Sequence, residues 1–140
     1  MKIWSGQPTL ASITARNANS MAEHLGIEFV ALTDNSISAR MPVDHRTRQP
    51  FGLLHGGANV VLAETLGSVA GNLVVPDDKM VVGVEINANH LRAVRDGHVI
   101  GTTMPVHLGR STQVWEIKIE DAGGKLSCVS RLTLAVVARA

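Results

Sequence analysis

The chain has 140 residues, of which 45% are apolar and 18% charged, with a mean hydropathy of +0.15. That length reads as one domain spanning residues 1–140, and so much apolar surface excludes a disordered chain. Thirteen basic against twelve acidic side chains leave a net charge of +1, which argues against a binder of nucleic acid or other polyanions.

The predicted elements begin with two short helices. Thr9 can cap Leu10–Ala15. Ser20 can cap Met21–Leu25, with Glu23 in the capping-box position and Gly26 as the stop. Alternation then starts: Ile37, Ala39, Met41 and Val43 share one face of a strand, Ser38 and Arg40 the other. Pro42 belongs at an edge or a strand end. Asp44–Gly52 is a polar loop. From Leu53 to Val75 runs the longest apolar stretch, with His55, Asn59, Glu64 and Asn72 inside it. Four such residues are costly in lipid, so the stretch reads as a buried helix and not a membrane span. Gly67 and Gly71 lie one turn apart and share a face on which something packs closely.

Strands follow. Val82, Val84, Ile86, Ala88 and His90 alternate with Gly83, Glu85, Asn87 and Asn89. Asp96-Gly97 turns the chain into His98–Leu108. Trp115, Ile117 and Ile119 alternate with charged residues, Gly123-Gly124 forms a hairpin, and Leu126–Val136 is the last strand. This order is α+β with a largely antiparallel sheet. A flat sheet cannot cover such a helix, so either the sheet curls around it or a second subunit covers the rest.

Glu64 is the first candidate for chemistry. A lone carboxylate in a dry interior costs several kcal/mol, so it must be paired, protonated or solvated in a cleft. Arg92 or Arg131 could serve as the partner. His55-Gly56-Gly57 stands where a loop enters the helix, and unpaired N–H groups at such a start can hold a developing oxyanion. A plain glycine turn explains the same three residues. Ser68 lies one turn after Glu64 and could hold a water or the carboxylate, or merely bond a backbone carbonyl. Gln49 could donate to a carbonyl, and Arg92 and Arg110 could hold phosphates. No metal is expected, because the histidines lack ligand-like spacing and the single Cys128 offers neither a disulfide nor a cluster. With no signal-peptide-like segment, a cytoplasmic protein without membrane contact is expected. Walker A, G-x-G-x-x-G and G-x-S-x-G patterns are all absent.

Taken jointly, three groups of residues carry a resemblance. They are Met41-Pro42-Val43-Asp44 with Arg46-Thr47 and Gln49 to Ala58; Leu62 to Ser68 with Ala70-Gly71; and Val82-Gly83-x-Glu85-Ile86-Asn87-Ala88-Asn89-His90. Pro105-x-His107-Leu108-Gly109-Arg110, Gln113-Val114-Trp115 and Ser130-Arg131-Leu132 add to them. The chain resembles the hotdog-fold acyl-CoA thioesterases, in the branch of the 1,4-dihydroxy-2-naphthoyl-CoA and enterobactin-pathway proofreading thioesterases. These are relatives of the glutamate-dependent 4-hydroxybenzoyl-CoA thioesterases. The resemblance covers nearly the whole chain and is weakest over the N-terminal helices.

It implies an antiparallel sheet wrapped around one long central helix, in a homodimer usually paired into a homotetramer. The active site would lie between subunits, with Gln49, His55 and Gly56 from one chain and Glu64 and Ser68 from the other. Gly56 N–H would polarise the thioester carbonyl, and Glu64 would act as nucleophile or general base. Coenzyme A, part of the substrate and not a cofactor, would meet His90, Arg92, Arg110 and Ser111. Val69 and Asn72 would line the acyl pocket, which favours aryl or related bulky groups. A carrier-protein thioester is an alternative substrate. A hotdog hydratase would need an Asp/His pair that this helix lacks, and a non-catalytic acyl-CoA sensor remains a competing reading.

Overall fold

The computed structural model describes all residues, 1–140. Helix α1 (Leu10–Arg16) and α2 (Met21–His24) precede strands β1 (Glu28–Leu32) and β2 (Ile37–Pro42). The long helix α3 (Gly56–Val74) follows, and then β3 (Lys79–His90), β4 (His98–Leu108), β5 (Thr112–Asp121) and β6 (Leu126–Ala138). The strands form one six-stranded sheet in the order β1-β2-β4-β5-β6-β3, and every neighbouring pair is antiparallel. One face of the sheet packs on α3, as the resemblance implied.

The alternation of residue types decides which face that is. Ile37, Ala39 and Met41 of β2, Trp115, Ile117 and Ile119 of β5, and Cys128, Leu132 and Leu134 of β6 are fully buried. They meet Leu62, Ala63, Leu66 and Ala70 of α3 in one core. Small residues let the helix come close. A β-carbon on Gly67 would sit 2.5 Å from Leu132, and one on Gly71 would sit 2.6 Å from both Gln113 Oε1 and Leu134. The shared glycine face is therefore the sheet-facing seam. Pro42 stands at a strand end, since β2 is flanked by β1 and β4.

Four expectations need correction. Strand β1 adds to the predicted elements: it is a short edge strand with a register shift between Phe29 and Ala31, which spoils its alternation. Ser20 precedes α2 but makes no side-chain cap; its hydroxyl donates to Asn17 O, and Glu23 accepts from Asn19 N instead. Helix α3 is not buried all round, because Val61, Glu64, Thr65, Ser68, Val69 and Asn72 are only half-buried. In β3 the register shifts between Gly83 and Glu85. Gly83 pairs with Leu134 and Ile86 with Leu132, so Gly83 and Ile86 both face the helix. Val82 and Val84 are left 41% and 64% exposed on the edge strand. No helix is long and apolar enough to cross a membrane.

Candidate active site

Two imidazoles and two glycines shape the start of α3. His55 is the N-cap, and its Nδ1 accepts from Gly57 N–H at 2.8 Å. That bond leaves the His55 proton on Nε2, as a donor. A β-carbon on Gly57 would sit 2.9 Å from that Nδ1, and one on Gly56 would sit 2.8 Å from His90 Nε2. His55-Gly56-Gly57 is thus more than a turn, because each glycine makes room for a ring. The Gly56 N–H is the first of the helix and has no protein acceptor. It lies at the positive end of a 19-residue helix dipole.

The loop before the helix holds Gln49 in place. Thr47 is buried, and its hydroxyl donates to Pro42 O at 2.7 Å and accepts from Asp44 N. Backbone bonds from His55 N to Thr47 O and from Gln49 N to Leu53 O close the loop. Gln49 Oε1 accepts from Phe51 N and Leu53 N. Its acceptor is therefore occupied, while its NH2 has no protein partner and can donate. At the loop's base Arg46 donates to Asp44 through side chain and backbone. These hydrogen bonds hold the Asp44 carboxyl at about 2, below its ordinary 3.8.

Gln49, Gly56, His90 and Arg92 line one cleft of about 390 Å³, together with Asn59, Leu53, Leu54, Leu91 and Ala93. Glu64 opens elsewhere, into a groove of about 660 Å³ between α3 and the α1–α2 segment. Ser68, Val69 and Asn72 line that groove, as does Val61. Neither Arg92 nor Arg131 pairs with Glu64: the ion pairs of the molecule are Arg40–Glu28, Arg46–Asp44 and Lys118–Glu116. Arg131 pairs in register with Glu116 on the sheet face away from α3. The Glu64 carboxylate instead reaches across Gly83, with Oε2 2.7 Å from where a β-carbon would stand. Asn72 lines the groove but spends its amide within the fold, donating to Ser68 O and accepting from Val81 N, each at 3.0 Å.

One chain does not gather every predicted residue. Gly56 and Glu64 are eight residues apart on α3, or about 12 Å along its axis. No single carbonyl can lie within bonding reach of both. Arg110 and Ser111 sit in the β4–β5 turn, where Ser111 O accepts from Val136 N. His90 pairs with Cys128 at the other end of β6, about 26 Å away at strand rise. Spacing along the chain assigns no role to Gly83 or Asn59. A glycine inside a strand was the signal available for Gly83. No three His, Cys, Asp or Glu side chains converge as metal ligands would.

The model of the Thioesterase superfamily matches residues 51–128, from the loop before α3 into β6. The chain belongs to that superfamily. It is 53% identical over 135 residues to the proofreading thioesterase EntH of Cronobacter turicensis, covering 96% of this chain and 98% of that one. It is 52% identical over 135 residues to the 1,4-dihydroxy-2-naphthoyl-CoA hydrolase of Escherichia coli, covering 96% and 99%. The crystal structure of a thioesterase from Haemophilus influenzae superposes with a TM-score of 0.95 at 53% identity, covering 97% of this chain and 95% of that one. The architecture is the hotdog fold, and the activity of the chain is thioester hydrolysis.

Proposed function

We propose that residues 1–140 act as one domain that hydrolyses acyl-CoA thioesters in sites shared by two copies of the chain. The observation that carries this reading is the separation of two half-sites on one helix. Carbonyl donors (Gly56 N–H, the Gln49 NH2 and His55 Nε2–H) stand at the start of α3, and the carboxylate stands about 12 Å along it. Both halves lie beside β3, an edge strand with exposed Val82 and Val84. Antiparallel pairing of β3 with its copy about a two-fold axis sets the Glu64 level of one subunit beside the Gly56 end of the other.

In such a site the donors polarise the thioester carbonyl and stabilise the oxyanion. Glu64 either attacks the carbonyl, forming an anhydride that water then opens, or takes a proton from an attacking water. Ser68 holds the water or the carboxylate. The thiolate leaves and is protonated, giving free acid and coenzyme A. The acyl group occupies the groove beside Val61 and Val69, with room for an aryl or similarly bulky group. Arg92 meets the coenzyme A arm at the donor end, where His90 stands beside the thioester, and Arg110 and Ser111 meet the arm only where a neighbouring subunit brings them near. Exposed Met104, Val106 and Val137 on the sheet favour further pairing into a tetramer. The buried free thiol of Cys128 suits a cytoplasmic protein, and the chemistry needs no metal.

Free-thiol release from a panel of thioesters tests the reading. One relative is named for a naphthoyl-CoA ester and another for proofreading. The panel therefore holds benzoyl-, hydroxybenzoyl-, hydroxynaphthoyl- and straight-chain acyl-CoA with an aryl-loaded carrier protein. Glu64→Gln should keep binding and lose about 10²–10⁴-fold in kcat. Wild-type turnover in that variant removes Glu64 from the mechanism. Binding without turnover on any thioester makes the chain a sensor, and a preference for the carrier protein replaces coenzyme A as the substrate handle.

A further inference from the structure

We infer that Asn59 is a positioning residue, which fixes the His90 imidazole as a further donor beside the Gly56 N–H. Asn59 lies one turn into α3 and is 95% buried, with 5% of its surface exposed. It lines the same cleft as Gly56, His90 and Gln49. Its Nδ2 lies 3.3 Å from His90 Nδ1. Its Oδ1 is one of two buried side-chain polar atoms without a partner, the other being Thr103 Oγ1. A helix residue chosen for packing alone would be apolar here, because an unsatisfied buried amide destabilises the fold.

The orientation of the amide follows from what each choice leaves bare. With Nδ2–H donating to Nδ1, the carbonyl oxygen and only one of the two N–H groups go unpaired. Turned round, both N–H groups lose an acceptor, and buried orphan N–H groups are the rarer case. A donor on Nδ1 forces the neutral ring to carry its proton on Nε2. Nε2 is the ring atom nearest Gly56, 2.8 Å from the missing β-carbon, with Cε1 and Cδ2 at 3.2 and 3.3 Å. The Nε2 corner of the ring therefore lies face-on over Gly56, and its N–H, which has no protein acceptor, is left to donate into the cleft that both residues line. Asn59 holds the tautomer, and the glycine keeps the approach open.

This inference rests on the reading that the thioester carbonyl docks at Gly56. In it, His90 Nε2–H and Gly56 N–H converge on one oxygen, and Asn59 acts only through His90. Two measurements separate this inference from that reading. Long-range proton–nitrogen correlation on the substrate-free protein reads the His90 tautomer. The expected result is protonated Nε2 and bare Nδ1 in wild type. Near-isosteric Asn59→Asp offers Nδ1 only an acceptor and should move a proton onto it. An unchanged tautomer in that variant, or a wild-type proton on Nδ1, overturns the inference whatever the enzyme hydrolyses.

The second measurement is a double-mutant cycle in kcat. His90→Leu should lower kcat by about 10²-fold or more, Asn59→Asp should lower it by no more than that, and Asn59→Asp should add nothing in the His90→Leu background. Equal losses from Asn59→Asp in both backgrounds would make Asn59 a packing residue and sink the proposal. Asn59→Ser repeats the cycle with an uncharged residue should the aspartate weaken folding. Loss of turnover in Glu64→Gln alongside a neutral Asn59 cycle leaves the function standing and this inference overturned.

Discussion

The Glu64 carboxylate lies over Gly83, within 2.7 Å of where a β-carbon would be. The obstacle such a carbon would meet is the far end of a flexible side chain, on an exposed edge strand. Gly83→Ala should therefore shift the carboxylate with little effect on folding. The expected outcome is a fall in kcat of about tenfold or more with Tm within about 2 °C of wild type. Unchanged kcat would mean that Glu64 does not work from this position. Asp44 makes the complementary case, a residue far from the chemistry that shapes the donor loop. Its carboxyl is held at about 2 by the Arg46 hydrogen bonds. A depressed carboxylate stabilises the fold above its unfolded value of 3.8, and the contribution is lost as pH falls from there toward 2. Asp44→Asn should flatten the acid side of the stability profile in that window, and circular dichroism against pH checks it. Both partners are partly exposed, so the effect is small. Glu64 and His55-Gly56-Gly57 were legible in the sequence because each broke a local rule, a charge in an apolar helix and a glycine pair at its start. Asn59 and Gly83 matter through what they touch across the fold, and no spacing along the chain records that.

At the scale of elements, the legible features were those set by nearest neighbours. Alternation in β2, β5 and β6 named the core-facing residues, and Gly67 with Gly71 marked a close-packed face of α3, which is the one that meets the sheet. The alternation of β3 misled for a definite reason. One extra residue between Gly83 and Ile86 reverses the facing of everything before it. A bulge leaves no trace in composition, yet it lets Gly83 face Glu64 while His90 still faces Gly56 farther along. Strand β1 escaped because an edge strand with a shifted register lacks clean alternation. The α3 seam yields a sharp prediction. A β-carbon on Gly71 would meet Gln113 Oε1 and Leu134 at 2.6 Å and Val81 at 3.1 Å. Gln113 is itself held by Trp115 Nε1 at 2.9 Å and cannot yield freely. Gly71→Ala should cost about 1–3 kcal/mol by overpacking, even though alanine is the better helix former by about 1 kcal/mol. Denaturant titration measures the sign: a stabilised variant would mean the seam has slack.

The whole molecule poses the question that neither scale below it can answer, namely how a carboxylate and its carbonyl donors, about 12 Å apart on one rigid helix, come to act on one bond. Bending α3 is no solution, because its sheet-facing side is close-packed from Ala58 to Leu73. The proposed two-fold axis beside β3 would solve it without deformation: each half-site would meet the other half from its copy, and two complete sites would arise at once. That arrangement can be tested by complementation. Take Glu64→Gln, which lacks the carboxylate, and the double variant Gln49→Ala with His55→Ala, which lacks donors. Each alone should be nearly inactive. Unfolded together in equal amounts and refolded, half the dimers pair unlike chains. Each such dimer has one site with both defects and one with neither. Activity should return to about a quarter of wild type per chain. If Glu64 and the donors of the same chain worked together, every site in the mixture would carry a defect and activity would stay at the level of the parents. Val84→Lys on the exposed edge gives the control. It should favour monomers by placing a charge on the pairing strand, and thiol release should fall in step with the loss of dimer seen by sedimentation.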